Sequence, residues 1–528
     1  MGDQVQQLAG DVENRLDLVP DLQEYDFVKL LPREISESIL DGLPLQALVP
    51  LRLVCRAWND LITSTPRFWG YLVVDNSIRD PYVLCSISKF VKSSGCQRFE
   101  VYNVDPSPRA LYFKWPDDLH QLRYARITVV QSLGLVPQLV RGKFPILESL
   151  TFEEYGHSEE DDKSDLVIYD VPLLSECVES LPNITEFVIT KKHALRLKYA
   201  GPFTFQSHPV LCGRKFNRLL RLLVNLKSFR MCGFEIRDCR KAGDVTESFE
   251  PSTTLSLYTL DFEKNERLEG IDFVNSSMRI LPILPASCKR LLLSKMFVIP
   301  QQRRMRTRDD GETQLIYIPT ALHHESARRM GGFNTEYKGI ESLEFLKMYD
   351  LNSHQLAAVL SRTNGEKMRS LRLRECLYLD LGDDAPISPA DVGMPEGNDM
   401  SIVEYIVKCC QNLTLLDLSG IASDRALIGL SRLEHLEVAL LGMSHHVTWF
   451  GLVGLIGEYG RYLQNPSVAS MTELLEDVYE LRNTKLRVVD VSSCPGVTAA
   501  DVQCLRRLGL QVYYEETYAF TSSGSQKV

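Results

Sequence analysis

Apolar residues along this chain follow two periods, and the change from one to the other divides it. Between Leu31 and Trp69 the spacing is helical. Leu51, Val54, Cys55, Trp58, Leu61 and Ile62 fall at i, i+3, i+4, i+7, i+10 and i+11, which predicts one face of a single last helix. Upstream, Pro32 suits a first helical position, where a missing N–H leaves nothing unsatisfied, and Ile35, Ile39 and Leu40 carry the spacing on to Gly42. Leu45 to Val49 supplies a short middle turn, and Pro50 reads as the start of the last helix. Three small helices in roughly 40 residues bury too little surface to stand alone, so the apolar excess predicts a module covered by a partner.

From about residue 75 a different pattern recurs: an apolar residue, two others, an apolar residue, one other, an apolar residue. Its copies start at Leu147, Ile184, Leu226, Leu257, Ile340, Met368, Leu413, Leu433 and Leu486, with a weaker one at Cys288. Each predicts a short strand, and helical stretches such as Ile402–Cys409 and Leu356–Leu360 lie between copies. No such unit buries its own core, so the copies must stack. Three inserts lack apolar periodicity and read as surface loops: Glu153 to Asp165, Gln301 to Gly332 and Asp380 to Met400.

The helical stretch resembles an F-box. The resemblance is carried by Leu31-Pro-Arg-Glu-Ile35, Ile39-Leu40, Leu43, Leu48 and Leu51-Arg-Leu-Val-Cys-Arg-Ala-Trp58, with every main anchor in register. Ala47, where many F-boxes carry an acidic residue, and Pro50 depart from the family pattern. The resemblance implies docking on the Skp-type adaptor of an SCF ubiquitin ligase, and through it on a cullin-RING ligase. The adaptor-binding positions would be Leu31, Pro32, Ile35, Ile39, Leu43, Leu48, Val54, Cys55 and Trp58. The recurring pattern is that of leucine-rich repeats, and Cys376 and Cys494 stand at the family's Asn/Cys position.

The expected fold is therefore α/β: a small three-helix F-box, then an irregular leucine-rich-repeat solenoid with a strand and a helix per repeat. Expected boundaries are an acidic flexible leader at 1–26, the F-box at 27–70, the repeats at 71–517 and a flexible tail at 518–528. By this resemblance the chain is the substrate-recognition subunit of an SCF-type ligase, not an enzyme itself, with the repeats holding a protein target. Two alternatives stay open: a scaffold that binds the adaptor outside a ligase, and a receptor with a small-molecule pocket in the solenoid.

In a leucine-rich repeat the patterned apolar residues point inward, so the residue between the last two reaches the concave face. In the C-terminal copies these are Glu344, Arg372, Asp417, Glu437 and Asp490, with Arg374 and His435 at neighbouring outward positions. Their balance is acidic, whereas Arg230 and Arg290 tilt the middle copies positive. This predicts a target that offers a basic segment to the C-terminal repeats. Exposed strand positions must be polar somewhere, and that plainer reading has equal weight.

Charge and composition narrow the rest. A formal net charge of −10 over 528 residues argues against nucleic-acid binding. The N-terminus has no basic start followed by an apolar run, so no signal peptide is expected, and no stretch is long and apolar enough for a bilayer. A cytoplasmic or nuclear location, with thirteen reduced and mostly buried cysteines, follows as an expectation. No nucleotide loop or metal-ligand spacing is found, so no cofactor or metal is expected. Gly451, Gly454 and Gly457 stand three apart in an apolar run, a spacing that suits close helix packing. The Arg303-Arg304-Met-Arg306-Thr-Arg308 cluster reads as a solvated loop in preference to an import signal. Ser158 and Ser388-Pro389 are short phosphorylation contexts frequent by chance, and His323-His324 and His445-His446 read as surface pairs.

Overall fold

A computed structural model of the chain describes residues 27–43, 45–74, 96–103, 121–129, 144, 146–155, 183–192, 210–237, 260–276, 278, 281–295, 303–307, 313–317, 337–348, 351–379, 381, 387, 399–456 and 485–515. The acidic leader, the tail, Ser158, Ser388, His323, His324, Leu257 and Gly457 lie outside them. The chain forms two compact units, Met1–Asp165 with Asp170–Phe205, and Leu166–Tyr169 with Gln206–Val528.

The first unit begins with short helices at Phe27–Leu30, Arg33–Asp41, Leu45–Leu51, Arg56–Ser64 and Pro66–Gly70. The single last helix expected from Leu51 onward is not formed. Pro50 lies inside the helix Leu45–Leu51, not at the start of the next one. Having no N–H, it already interrupts the helical ladder. The chain then tightens, with Leu53 N donating to Pro50 O at 2.9 Å and Val54 N to Leu51 O at 3.2 Å. Cys55 is extended (φ −162°, ψ 173°) and caps the helix Arg56–Ser64. Across the break the Arg52 guanidinium holds Asn59 Oδ1 at 2.9 and 3.1 Å. The core of the module is Leu40, Leu48, Leu61, Ile62, Phe68 and Trp69. Trp69 is fully buried, and its Nε1 donates to Ile62 O at 2.8 Å.

The helix Pro66–Gly70 runs directly into β1 (Tyr71–Val74). Four further strands follow in chain order, all parallel: β2 (Arg98–Asn103), β3 (Tyr124–Val129), β4 (Ser149–Tyr155) and β5 (Glu186–Lys192). β2 and β3 carry the repeat pattern with Cys96 and Phe99, and with Leu122 and Ala125, in the leucine positions; all four are buried. Open-face side chains pair along and across strands. Arg98 stacks on Tyr124 (4.3 Å) and Tyr71 (5.0 Å) and holds Glu100 at 2.7 Å, Arg126 holds Glu153 at 2.9 Å, and Ser149 donates to Glu186 at 2.6 Å.

In the second unit β6 (Val210–Cys212) pairs with β8 (Glu235–Arg237) beside the helix Gly213–Leu222. Nine parallel strands then run in chain order: β7 (Ser228–Cys232), β9 (Gly270–Val274), β10 (Arg290–Ser294), β13 (Ser342–Leu346), β14 (Ser370–Arg372), β15 (Leu415–Asp417), β16 (Val438–Leu440), β17 (Val488–Asp490) and β18 (Gln511–Tyr513). Helices Ser353–Leu360, Ile402–Cys409, Asp424–Leu430, Trp449–Ile456 and Ala499–Arg507 return the chain between the later strands. Among the described residues every patterned apolar residue except Val438 is buried, as at Leu371, Leu373, Leu416, Leu418, Val489 and Val491. Parallel strands in sequence order, each with an inward LxxLxL pattern, make this a leucine-rich-repeat architecture.

Two copies differ from expectation. Leu260 and Phe262 are buried, but Asp261 makes only an isolated bridge to Ile283; the strand at this level is β9, on Leu268-Glu-Gly-Ile271-Asp-Phe273. Phe262 instead packs on Phe229, centroids 5.2 Å apart. The copy assigned to Leu433 is displaced by three residues. Ala439 lies in register with Leu416 and Val489, so the repeat is Leu436-Glu-Val-Ala439-Leu-Leu441. The insert expected as a loop after Gln301 contains an antiparallel hairpin, β11 (Arg303–Thr307) with β12 (Thr313–Tyr317).

Each strand from β7 to β17 ends in the same device. Gly233, Asn275, Lys295, Lys347, Glu375, Gly420, Met443 and Ser493 all have φ between 46° and 83°. Each donates its N–H to the carbonyl just before the equivalent position of the next repeat, as Lys347 to Arg374 and Met443 to Ser492, both at 2.8 Å. Below this ladder, Cys376 Sγ lies 3.3 Å from Phe345 O and Cys494 Sγ 3.2 Å from Leu441 O, each bonding back to the preceding repeat. Ser444 takes the same place and accepts from Gly420 N and Ala422 N. The nine cysteines whose side chains are described are free. Burial pushes the Cys288 thiol up to about 12 and Cys409 to about 11, so both stay neutral.

Gly451 and Gly454 let the helix Trp449–Ile456 approach the helix Asp424–Leu430. A Cβ on Gly451 would overlap Asp424 Oδ1 and lie 2.7 Å from its Cα, while Asp424 binds Thr448 N at 2.8 Å. Gly451→Ala should therefore destabilise the second unit by about 1–3 kcal/mol. Denaturant titration followed by fluorescence checks this, and an unshifted midpoint would show that the helices part freely.

Candidate functional site

On the helical module the backbone turns described above sort the apolar residues into two sets. Ser36 and Leu40 face the core, so Ile35 and Ile39, one turn apart, are turned to solvent and are 49% and 48% exposed. Leu31, Pro32 and Leu43 are exposed beside them. The tight turn after Pro50 carries Leu53 and Val54 outward, at 61% and 50% exposure, and Leu30 is also bare. Cys55 and Trp58 are half-buried. Leu48 is not on this surface: at 3% exposure it belongs to the core. Leu30 and Leu53 join the surface unannounced by the pattern, because Leu30 ends one short helix and Leu53 follows another.

Polar contacts fix this surface in place. Glu37 receives Arg33 Nε at 2.7 Å and Thr65 Oγ1 at 3.1 Å, and Arg67 lies 3.8 Å away, tying the helix Arg33–Asp41 to the turn before Pro66. The Arg33 hydrogen bond is the main cause that holds the Glu37 carboxyl below its usual range, against its partial burial. These contacts are exposed, so each adds little stability but sets orientation.

The second candidate surface is the open face of β7 to β18. Strand register aligns Arg230, Asp272, Leu292, Glu344, Arg372, Asp417, Leu440, Asp490 and Tyr513 in one row. Several expected contact residues are engaged within it. Arg290 binds Asp272 at 2.8 Å and Glu344 at 2.9 Å, so Glu344 is not a free acid and Arg290 does not make the middle repeats positive. Burial raises the Asp272 carboxyl above its ordinary range despite Arg290. Asp417 is buried, with Oδ1 accepting from Ser419 N at 3.0 Å and Oγ at 2.7 Å; it closes the turn after β15. Asp490 accepts from Ser492 N in the same way but is half-exposed. Arg374 is exposed and pairs with Glu375 at 3.3 Å. Glu437 and His435 fall outside the row because of the displaced register, and His435 Nδ1 faces Lys485 Nζ at 2.5 Å. Arg372 makes no ion pair among the described residues, and its Nε has no hydrogen-bond partner. Among those residues no three His, Cys, Asp or Glu side chains gather as a metal site, and no helix is long and apolar enough to cross a membrane.

A comparison with protein families matches residues 28–74 to the F-box-like family. These residues are an F-box-like domain. Its matched span takes in every helix from Arg33 to Gly70 and ends with β1. No curated protein matches the chain. Among solved structures, an internalin of Listeria monocytogenes matches at 12% identity, over 83% of this chain and 88% of that one, with a TM-score of 0.31. A leucine-rich-repeat protein of Leptospira interrogans matches at 11% identity over 81% and 91%, TM-score 0.28. The yeast complex of Rad7 and Elc1 matches at 12% identity over 97% and 96%, TM-score 0.27. At such values the repeat architecture rests on the strand register and burial described above.

Proposed function

We propose that this chain is the substrate-recognition subunit of an SCF-type E3 ubiquitin ligase. The F-box-like domain binds a Skp-type adaptor, and the repeats hold a protein target. The observation that carries this reading is the exposed set Leu31, Ile35, Ile39, Leu43 and Val54 on a module whose own core is already closed by Leu40, Leu48, Ile62 and Trp69. A small domain does not keep so much aliphatic surface in water without a partner. The helix Pro66–Gly70 leaves no linker before β1, which favours a fixed geometry between adaptor and first repeats. The chain's contribution is then effective concentration and orientation of the target, while transfer chemistry belongs to other subunits.

The test is reconstitution with a Skp-type adaptor, beside a Leu31→Ala, Pro32→Ala double variant. A stoichiometric complex with the wild type and at least tenfold weaker binding by the variant are expected. No complex, or equal binding by both, rejects the reading. Adding cullin and RING subunits to a bound complex separates a ligase from a scaffold, since a scaffold supports no ubiquitin transfer.

A further inference from the structure

The open face changes character at β15. On the strands before it, solvent-side positions are small or charged except for Leu292, which is buried: Ser228, Gly270, Arg290, Ser342 and Ser370 in one row, Arg230, Asp272, Leu292, Glu344 and Arg372 in the next. Beyond it the first row becomes Leu415, Val438 and Val488, and the second contributes Leu440. All four are half-exposed, although the repeat pattern does not require an apolar residue at any of these places. Tyr513, 51% exposed, borders them on β18. Ordinary open strand faces alternate apolar inward with polar outward, so a contiguous aliphatic patch across three strands is a departure that has to be explained.

Charge brackets the patch with opposite signs. On the β14 side stands Arg372, which pairs with neither Glu344 nor Asp417, because the first is held by Arg290 and the second by Ser419. Nearby, Lys347 and Arg374 share the single acid Glu375, at 2.8 and 3.3 Å, so this border is net positive. On the far side Asp490 is half-exposed and Glu515, whose carbonyl receives Ser493 N, is exposed. This border is negative.

From this bipolar arrangement we infer that, if the repeats hold a target as proposed above, they hold an extended peptide segment laid across β14 to β17. Its acidic side chain meets Arg372, its aliphatic or aromatic anchor covers Leu415, Val438 and Leu440, and its Lys or Arg meets Asp490 and Glu515. The spacing follows from geometry. Strands about 4.8 Å apart put β14 and β17 roughly 14 Å from each other. An extended peptide advances about 3.4 Å per residue, so the acid and the base stand about four residues apart with the anchor between them. This replaces the purely basic segment expected from the sequence.

The experiment is a random dodecapeptide display library selected on the full chain bound to its adaptor, with wild type, Leu440→Ser and Arg372→Glu as parallel baits. Wild type should enrich peptides with an acid and a base four residues apart around a Leu, Ile, Val or Phe. Leu440→Ser should weaken those peptides at least tenfold. Arg372→Glu should lose them and accept instead versions with Lys in place of the acid, a rescue that an unfolded variant does not give. Enrichment of peptides without this spacing, no enrichment, or equal binding by all three baits overturns the inference. A selected peptide that matches a segment of the chain itself, rather than a separate protein, also overturns it. Adaptor binding by the same preparations is measured separately, so a failed F-box reading is not confused with a failed peptide site.

Discussion

An Ile35→Asp, Ile39→Asp double variant should lose adaptor binding by about three orders of magnitude while remaining folded. Both side chains are about half in water already, so carboxylates there cost the free protein little. In a complex they would be buried against an apolar partner surface, where an unpaired charge is expensive. Hot-spot truncations cost about 2 kcal/mol or more each, and two such losses amount to about 4 kcal/mol, close to a thousandfold in affinity. Titration calorimetry against the isolated adaptor measures the loss, and circular dichroism checks the fold. Retained affinity with an intact spectrum would move the interface off the helix Arg33–Asp41.

Trp69→Ala should have the largest effect on stability. The indole is wholly buried and its N–H closes on Ile62 O at 2.8 Å, joining the helix Arg56–Ser64 to the segment that enters β1. Large-to-small changes at such aromatic sites cost about 3–5 kcal/mol, and here the Ile62 carbonyl also loses its partner. A module this small has little stability in reserve. Loss of the helical module should therefore precede unfolding of the repeats, and limited proteolysis should cut between Leu31 and Gly70 first. Proteolysis at wild-type rates in this segment would contradict the assignment of Trp69 as its keystone.

Much of this was readable from the sequence where each residue type had one role. The copies at Leu413 and Leu486 were located because both patterned strand residues are aliphatic and no third candidate lies three residues away. At Leu433 the sequence offers two buried leucines, Leu433 and Leu436, and the strand's central position is filled by Ala439, which carries no hydrophobic signal of its own. The same weakness hid β2 and β3, where Cys96 and Ala125 stand for leucine. The helix expected through Val54 and Cys55 failed for another reason. Periodicity reports which residues repeat, not whether the backbone between them is continuous, and Pro50 with the Arg52–Asn59 contact breaks it. On the open face, the acids were visible but their partners were not. Arg290 sits 54 residues before Glu344, and only stacking brings them together. The apolar patch is also in plain view, in the second leucine of Leu413-Thr-Leu415-Leu416 and in Val438 and Val488, but these residues are surplus to a pattern that asks for fewer.

The left-handed residue that closes each strand makes a practical difference to how this protein tolerates change. Six of the eight positions carry a side chain where glycine would relieve a backbone penalty of roughly 1–2 kcal/mol. Random substitution normally erodes a fold, yet here is a row in which one particular replacement, to glycine, has a stabilising direction at six sites. At the same six sites any residue already present has proved compatible with the unfavourable geometry, and its side chain leaves from a backbone pinned by the neighbouring repeat. Lys295, Lys347, Glu375 and Met443 thus form an edge that is open to editing, where surface chemistry is exchangeable without disturbing the packed layer beneath, and where the outcome of an exchange is set by backbone strain and, at Lys347 and Glu375, by their 2.8 Å ion pair.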